Sequence, residues 1–209
     1  MDDFFAAVES RPLAWPRGRG DLHWLITFPP RVVEETLTAP YRELSSMPGL
    51  EPVPAEWMHL TLLHAGPEDQ YTPEEIARVI ELFRMGAASV PPFDVEFSRP
   101  SVGKVALEMA GRPGAPSRRL WEIATQAFEE VAPKRWPLIP EHHAPHMSIA
   151  YGSSSAAKAN PAVMKVWLSD HGPGPVTLRA EKAVLVSERH DGARITWTHL
   201  AEVPLGAAS

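Results

Sequence analysis

Apolar residues along the chain recur at two spacings, period two in some stretches and near 3.6 in others, and these spacings predict its elements. DLHWLITF (21–28) and WMHLTLLHAG (57–66) read as strands, stopped by Pro29 and Pro30 and by Gly66 and Pro67. Between them, RVVEETLTAPYREL (31–44) has helical spacing that Pro40 ends or kinks. Thr72, Pro73 and Glu75 resemble an N-cap followed by proline at the first helical position, opening a helix to about Ala88. FDVEFSRP (93–100) and VALEMA (105–110) read as a strand pair around a turn at Gly103. PSRRLWEIATQAFEEVAP (116–133) is amphipathic, with Leu120, Ile123, Ala127 and Val131 on one stripe. A strand, APHMSIAY (144–151), and a helix, AAKANPAVMKVWLSDH (156–171), follow. VTLRAEKAVLVSER with ARITWTHLAEVPL reads as a closing hairpin around Asp191 and Gly192. Interleaved strands, helices and hairpins predict an α+β or mixed-sheet fold rather than a doubly wound parallel sheet. Neither GxGxxG nor a P-loop is present, which weakens dinucleotide and nucleoside-triphosphate readings.

Two of these strands carry the same polar device. In WMHLTLLH, Met58, Leu60 and Leu62 share one face while His59 and Thr61 share the other; in PHMSIAYG, Met147 and Ile149 oppose His146 and Ser148. Nine histidines in a chain of ordinary serine and threonine content give roughly one such triplet by chance. Two copies inside apolar strands, each with its polar pair on one face, favour function. Metal-free transfer at a phosphodiester suits this pattern, because it needs a base on the entering oxygen and an acid on the leaving oxygen. Two imidazoles can fill those roles, one neutral and one protonated. Hydroxyls two positions further, roughly 6 to 7 Å along a strand, can donate to the non-bridging oxygens.

Composition narrows the setting. The 209 residues suit one domain or two closely joined lobes, and with no cysteine there is no disulfide, thiolate nucleophile or cysteine metal site. Lys and Arg number 20 against 26 Asp and Glu, a formal charge of −6, which argues against long DNA and leaves room for a short anionic ligand. The acidic N-terminus lacks the basic start and apolar run of a signal peptide, and no stretch reaches the ~20 apolar residues of a membrane span. A cytoplasmic, monomeric protein with no membrane partner is expected. Residues 1–20 read as a loose N-terminal extension, 21–205 as a single bilobal domain and 206–209 as a tail.

With both triplets in hand, the sequence resembles the 2H phosphoesterase superfamily, named for two HxT/S motifs in strands lining one cleft. His59-Leu60-Thr61 and His146-Met147-Ser148 match those motifs, Pro145 included. The surroundings look like its bacterial 2′-5′ RNA ligase, or RNA 2′,3′-cyclic phosphodiesterase, branch: a first strand ending in FPP and the closing VLVSERHDGARITWTHLAEVPL hairpin. The resemblance implies an α+β, bilobal fold of two related antiparallel-sheet halves with outer helices around a central cleft. It implies hydrolysis of 2′,3′-cyclic phosphate ends of RNA or nucleotides to 2′-phosphates without metal or cofactor, in some members with 2′-5′ joining of RNA ends. Carried over, His59 and His146 are acid and base in an order the sequence does not assign, and Thr61 and Ser148 hold the phosphate. Few basic residues flank the motifs, which favours a nucleotide, a short RNA end or a cyclic dinucleotide as partner. Alternatives are a non-catalytic nucleotide-binding module with the same anion pocket, a phosphodiesterase of 2′-5′ oligonucleotides, and an esterase using Ser148, for which no GxSxG elbow speaks.

Other residues carry weaker signals. Tyr151 and Trp24 are candidates for stacking on a base, and Lys104 and Arg189 for approaching a phosphate. Trp197, like Trp24, reads first as a core residue. His142 and His146 are four apart, a metal spacing on a helix that the extended context spoils, so no metal site is expected. His143 reads as a solvated loop residue, and His64, off-phase from His59, as a core-side strand-end histidine with a local partner.

Overall fold

The computed structural model describes residues 1–11, 13–155 and 157–206. Its strands form two antiparallel sheets. In the first, the order is β10 (Ile195–Pro204), β9 (Lys182–His190), β1 (Asp21–Thr27), β3 (His59–Pro67). In the second it is β2 (Leu50–Pro52), β7 (His146–Gly152), β6 (Ala106–Arg112), β4 (Phe93–Phe97), β8 (Val176–Ala180), with the short β5 (Ser101–Val102) paired to β6. This is the mixed α+β architecture expected of a 2H phosphoesterase.

The two long helices lie against the first sheet. α4 (Pro73–Ala87) opens with a full capping box between Thr72 and Glu75 and packs against α5 (Ala115–Val131), which lies over β3. Trp24 stacks on Phe83 at 3.7 Å in this core and is wholly buried. The region expected as one helix over 31–44 is broken into α2 (Pro30–Val33), a π-turn over Glu34–Thr38 and α3 (Arg42–Ser45), because Pro40 cannot continue the backbone ladder. The Gly103 turn joins β5 to β6, so β4 meets β6 only at Glu96 and Phe97. The expected long hairpin arm 176–189 is two strands: β8 pairs β4 in the second sheet, and after Glu181 the chain crosses to the first sheet as β9. Gly192, at φ +91°, makes the predicted β9–β10 turn. α6 (Pro161–Asp170) starts from an Asn160 cap, and Ala156, the first residue of the expected helix, lies outside the described residues.

Where the sequence suggests a loose N-terminal extension, the structure has a docked segment. α1 (Phe4–Glu9), capped by Asp3, buries Phe5 and Val8, and Phe4 and Phe5 both pack on Tyr151. The Asp2 amide donates to the Lys104 carbonyl at 2.9 Å, and the Asp2 carbonyl lies so close to Gly152 that no side chain fits there. Trp15 is buried and its carbonyl accepts from His190 Nε2 at 2.7 Å. Pro12 and most of the expected tail, 207–209, lie outside the described residues.

Candidate active site

β3 and β7 approach each other where the two sheets meet, and their polar faces open onto one cleft of about 280 Å³. His59 and Thr61 enter it from β3, His146 and Ser148 from β7. The two histidines are oriented in the same way. His59 Nδ1 donates to the Trp57 carbonyl at 2.9 Å, and His146 Nδ1 donates to the Ala144 carbonyl at 2.9 Å, in each case two residues back along the strand. A carbonyl can only accept, so the proton is held on Nδ1 and Nε2 is left free.

The environments of the two rings differ. His59 is only 10% exposed, with the Trp197 ring perpendicular to it at 5.2 Å between centroids, whereas His146 lies on the open side. Burial pushes His59 down to about 4 against the pull of the Trp57 carbonyl, and His146 adds to the fall. At neutral pH His59 is therefore an uncharged imidazole with a free Nε2, the state of a general base.

Each motif strand is bulged just after its hydroxyl residue. Trp24 pairs Leu63 and Leu25 pairs Thr61, so Leu62 is an extra residue in β3; Leu107 pairs Ala150 and Glu108 pairs Ser148, so Ile149 is extra in β7. An extra residue inverts the alternation beyond it. His64 and Tyr151, both on the core side by strict alternation, consequently line the cleft. His64 Nε2 meets Asp21 Oδ2 at 2.8 Å, and Arg19 holds Asp21 through two hydrogen bonds at 2.7 and 2.8 Å. Burial drives the Tyr151 phenol well above its ordinary range, with Glu188 adding and the neighbouring Ser148 hydroxyl opposing.

Behind the motif residues lies a buried polar tier that the sequence reading missed. Glu188 from β9 is 2% exposed; its Oε1 stands 3.9 Å from His59 Nε2 and its Oε2 3.5 Å from His23 Nδ1, too far for a hydrogen bond, and Oε2 has no partner among the described residues. Burial first and Asp21 second push Glu188 up to about 8. His23 stacks on His64 at 4.2 Å and donates from Nδ1 to its own Asp21 carbonyl at 3.1 Å, while burial and the neighbouring His64 hold its pKa well down. A signal existed: Glu188 continues the apolar face of Val184 and Val186, and Asp21 and His23 interrupt an otherwise apolar strand.

The remaining candidates fall elsewhere. Trp24 belongs to the core. Lys104 is exposed and pairs with Asp2 at 3.7 Å, and Arg189 is exposed, reaching Thr198 Oγ1 at 3.4 Å beside a different groove. His143, expected in solvent, is buried: its Nε2 lies 3.1 Å from Ser117 Oγ and its ring parallels Trp121, and burial, then His146 and Arg118, push it down to about 4. Among the described residues no three His, Asp or Glu side chains converge as metal ligands would. Nor is any described helix long and apolar enough to cross a membrane.

The family model of the 2′-5′ RNA ligase superfamily matches residues 29–192, well over half of the chain. The chain belongs to that superfamily. No curated protein matches its sequence. Among solved structures it is similar to TT0787 of Thermus thermophilus, with a TM-score of 0.68 at 20% identity over 90% of this chain and 100% of that one. It is similar also to LigT of E. coli, with a TM-score of 0.62 at 16% identity in the apo form, over 90% of this chain and 98% of that one. LigT complexed with 3′-AMP superposes equally well, TM-score 0.62 at 18% identity, over 90% and 98%. These likenesses establish the 2H phosphoesterase fold.

Proposed function

We propose that this member of the superfamily is a metal-independent phosphodiesterase that opens 2′,3′-cyclic phosphates on nucleotides or short RNA ends to leave a 2′-phosphate. The observation that carries this reading is the convergence of two His-x-Thr/Ser triplets on one cleft, both rings fixed through Nδ1 so that both Nε2 atoms are free. His59 Nε2 takes a proton from water as the water oxygen bonds to phosphorus. The bond from phosphorus to O3′ breaks in line, and O3′ receives a proton from His146 Nε2. Thr61 and Ser148 donate to the non-bridging oxygens, where charge gathers. The next turnover needs the proton returned from His59 to His146, which solvent at the open side supplies.

Two further observations support a small substrate. LigT has been crystallised with 3′-AMP, NADP+ and ATP, so a nucleotide suits this fold. Arg11 is the one Arg or Lys among the residues lining the cleft, too little positive charge to hold a long polynucleotide.

The test is incubation of EDTA-treated protein with nucleoside 2′,3′-cyclic phosphates and short RNAs bearing cyclic ends, separating 2′- from 3′-phosphate products by chromatography. A 2′-phosphate product, lost in His59→Ala and in His146→Ala, is expected. Binding without turnover in the wild type would turn the reading into that of a nucleotide-binding module.

A further inference from the structure

The cleft does not end at the motif residues. Beyond His64 it runs into a second cavity of about 300 Å³ lined by Val8, Arg11, Leu13, Trp15, His64 and Ile139, five of which also line the catalytic cleft. Four of the six come from the N-terminal segment, which precedes the stretch matched by the family model. The site is built on fixed supports. Trp15 is 7% exposed and tied through Nε1 to the Arg19 carbonyl at 3.2 Å. His64 is held by Asp21, and Ile139 forms a two-way backbone bridge with His64, at 2.7 and 3.0 Å.

We propose that this N-terminal pocket is a nucleobase subsite: it receives the planar ring of the nucleoside whose cyclic phosphate lies on the four motif residues. Its chemistry fits a base. Val8, Leu13 and Ile139 supply apolar walls, Trp15 an aromatic surface, and the exposed Arg11 a planar cation that stacks on rings or meets a ring carbonyl. With Nε2 committed to Asp21, His64 presents Nδ1 as its free polar atom, one hydrogen-bonding group for a ring edge. A sugar-phosphate strand, by contrast, would find three apolar side chains and a single arginine. The pocket is also walled by α1 and Trp15, so a chain threading through this end of the cleft would have to displace a buried core. The site thus accepts a terminal nucleoside rather than an internal one. The proposal rests on the phosphodiester reading of the cleft, and it adds that substrate selection resides in the segment before β1.

Calorimetry of the full chain tests it without turnover, using a nucleoside 2′-monophosphate and ribose 2-phosphate as probes. The wild type should bind the nucleotide at least tenfold more tightly. Leu13→Trp, which fills the pocket from a half-buried position, should remove that preference and leave ribose 2-phosphate binding within twofold. Arg11→Ala, at an exposed site that does not threaten folding, should weaken the nucleotide three- to tenfold more than ribose 2-phosphate, which loses only the cleft's one positive charge. In turnover, Leu13→Trp should raise KM for nucleoside cyclic phosphates with kcat within twofold, and leave a base-free methyl-riboside cyclic phosphate unchanged. Equal binding of the two probes by the wild type, or equal losses on both in the variants, overturns the subsite even if the enzyme turns over. Retained nucleotide preference with no turnover of any cyclic phosphate overturns the catalytic reading and leaves the subsite standing.

Discussion

His64 and Tyr151 occupy matching places in the two halves of the cleft: each lies three residues past its motif hydroxyl, and each faces the cavity because one bulged residue, Leu62 or Ile149, has inverted its strand. The two bulges give the cleft a third pair of side chains without lengthening either motif. On the β7 side the consequence is a phenol beside Ser148. A phenol that orients the serine hydroxyl against the phosphate supplies one hydrogen bond in the reacting complex, worth about 1 kcal/mol. Tyr151→Phe should therefore lower kcat for a cyclic phosphate about fivefold at pH 7 and leave the Tm within a few degrees. An unchanged kcat would mean that Ser148 is oriented without Tyr151.

Glu188 makes the stability of the fold depend on pH. Its pKa is raised to about 8, above the 4.5 it has when unfolded, so its burial costs nothing below about pH 4.5 and progressively more as pH rises towards 8. At 1.36 kcal/mol per pH unit, the cost at pH 8 to 9 is on the order of 3 to 5 kcal/mol. Glu188→Gln keeps the shape and removes the charge. Urea denaturation should find the variant close to wild type at pH 4.5 and more stable by several kcal/mol at pH 8.5. A gap that does not widen with pH would show that Glu188 is ionised in the native state.

How much of this was legible in the sequence follows from alternation. Period two located both motif strands and put His59 with Thr61 and His146 with Ser148, since no bulge intervenes within either triplet. The same rule misplaced His64 and Tyr151, because a bulge leaves no composition signal in LTLLH or MSIAY. Glu188 escaped notice because its strand reads as one arm of a closing hairpin, whereas β9 lies inside the first sheet between β10 and β1 and sets Glu188 against the cleft. The docked N-terminal segment was hidden by its short FFAAV stretch, too brief for helical periodicity, and by PRGRG, which reads as a loose loop. The loop around His143 suggests solvent, and its burial beside Ser117 and Trp121 is a tertiary fact that no local pattern carries.

The candidates outside the cleft make a control set. Trp24 is fully buried against Phe83, and removing a packed aromatic costs about 3 to 5 kcal/mol. Trp24→Ala should lose that much stability by chemical denaturation. Lys104→Ala and Arg189→Ala, both exposed, should leave turnover within twofold. A kcat/KM loss of tenfold or more in either would bring its side chain to the substrate.

The sharpest test of the two-histidine chemistry is the pH dependence of kcat/KM, which reports ionisations of the free enzyme. His59, lowered to about 4, is neutral and competent as a base at every pH above that, so the limb it governs lies on the acid side near 4 rather than near 6.5. Loss of activity at high pH then belongs to the acid. Substituting Trp197, whose ring packs perpendicular to His59, lets water reach the imidazole and relieves part of the burial that depresses it. Trp197→Ala should move the acid limb upward by about one pH unit while the alkaline limb stays in place. If the alkaline limb moves instead, His59 is the acid and His146 the base, and the direction of proton flow across the cleft is reversed.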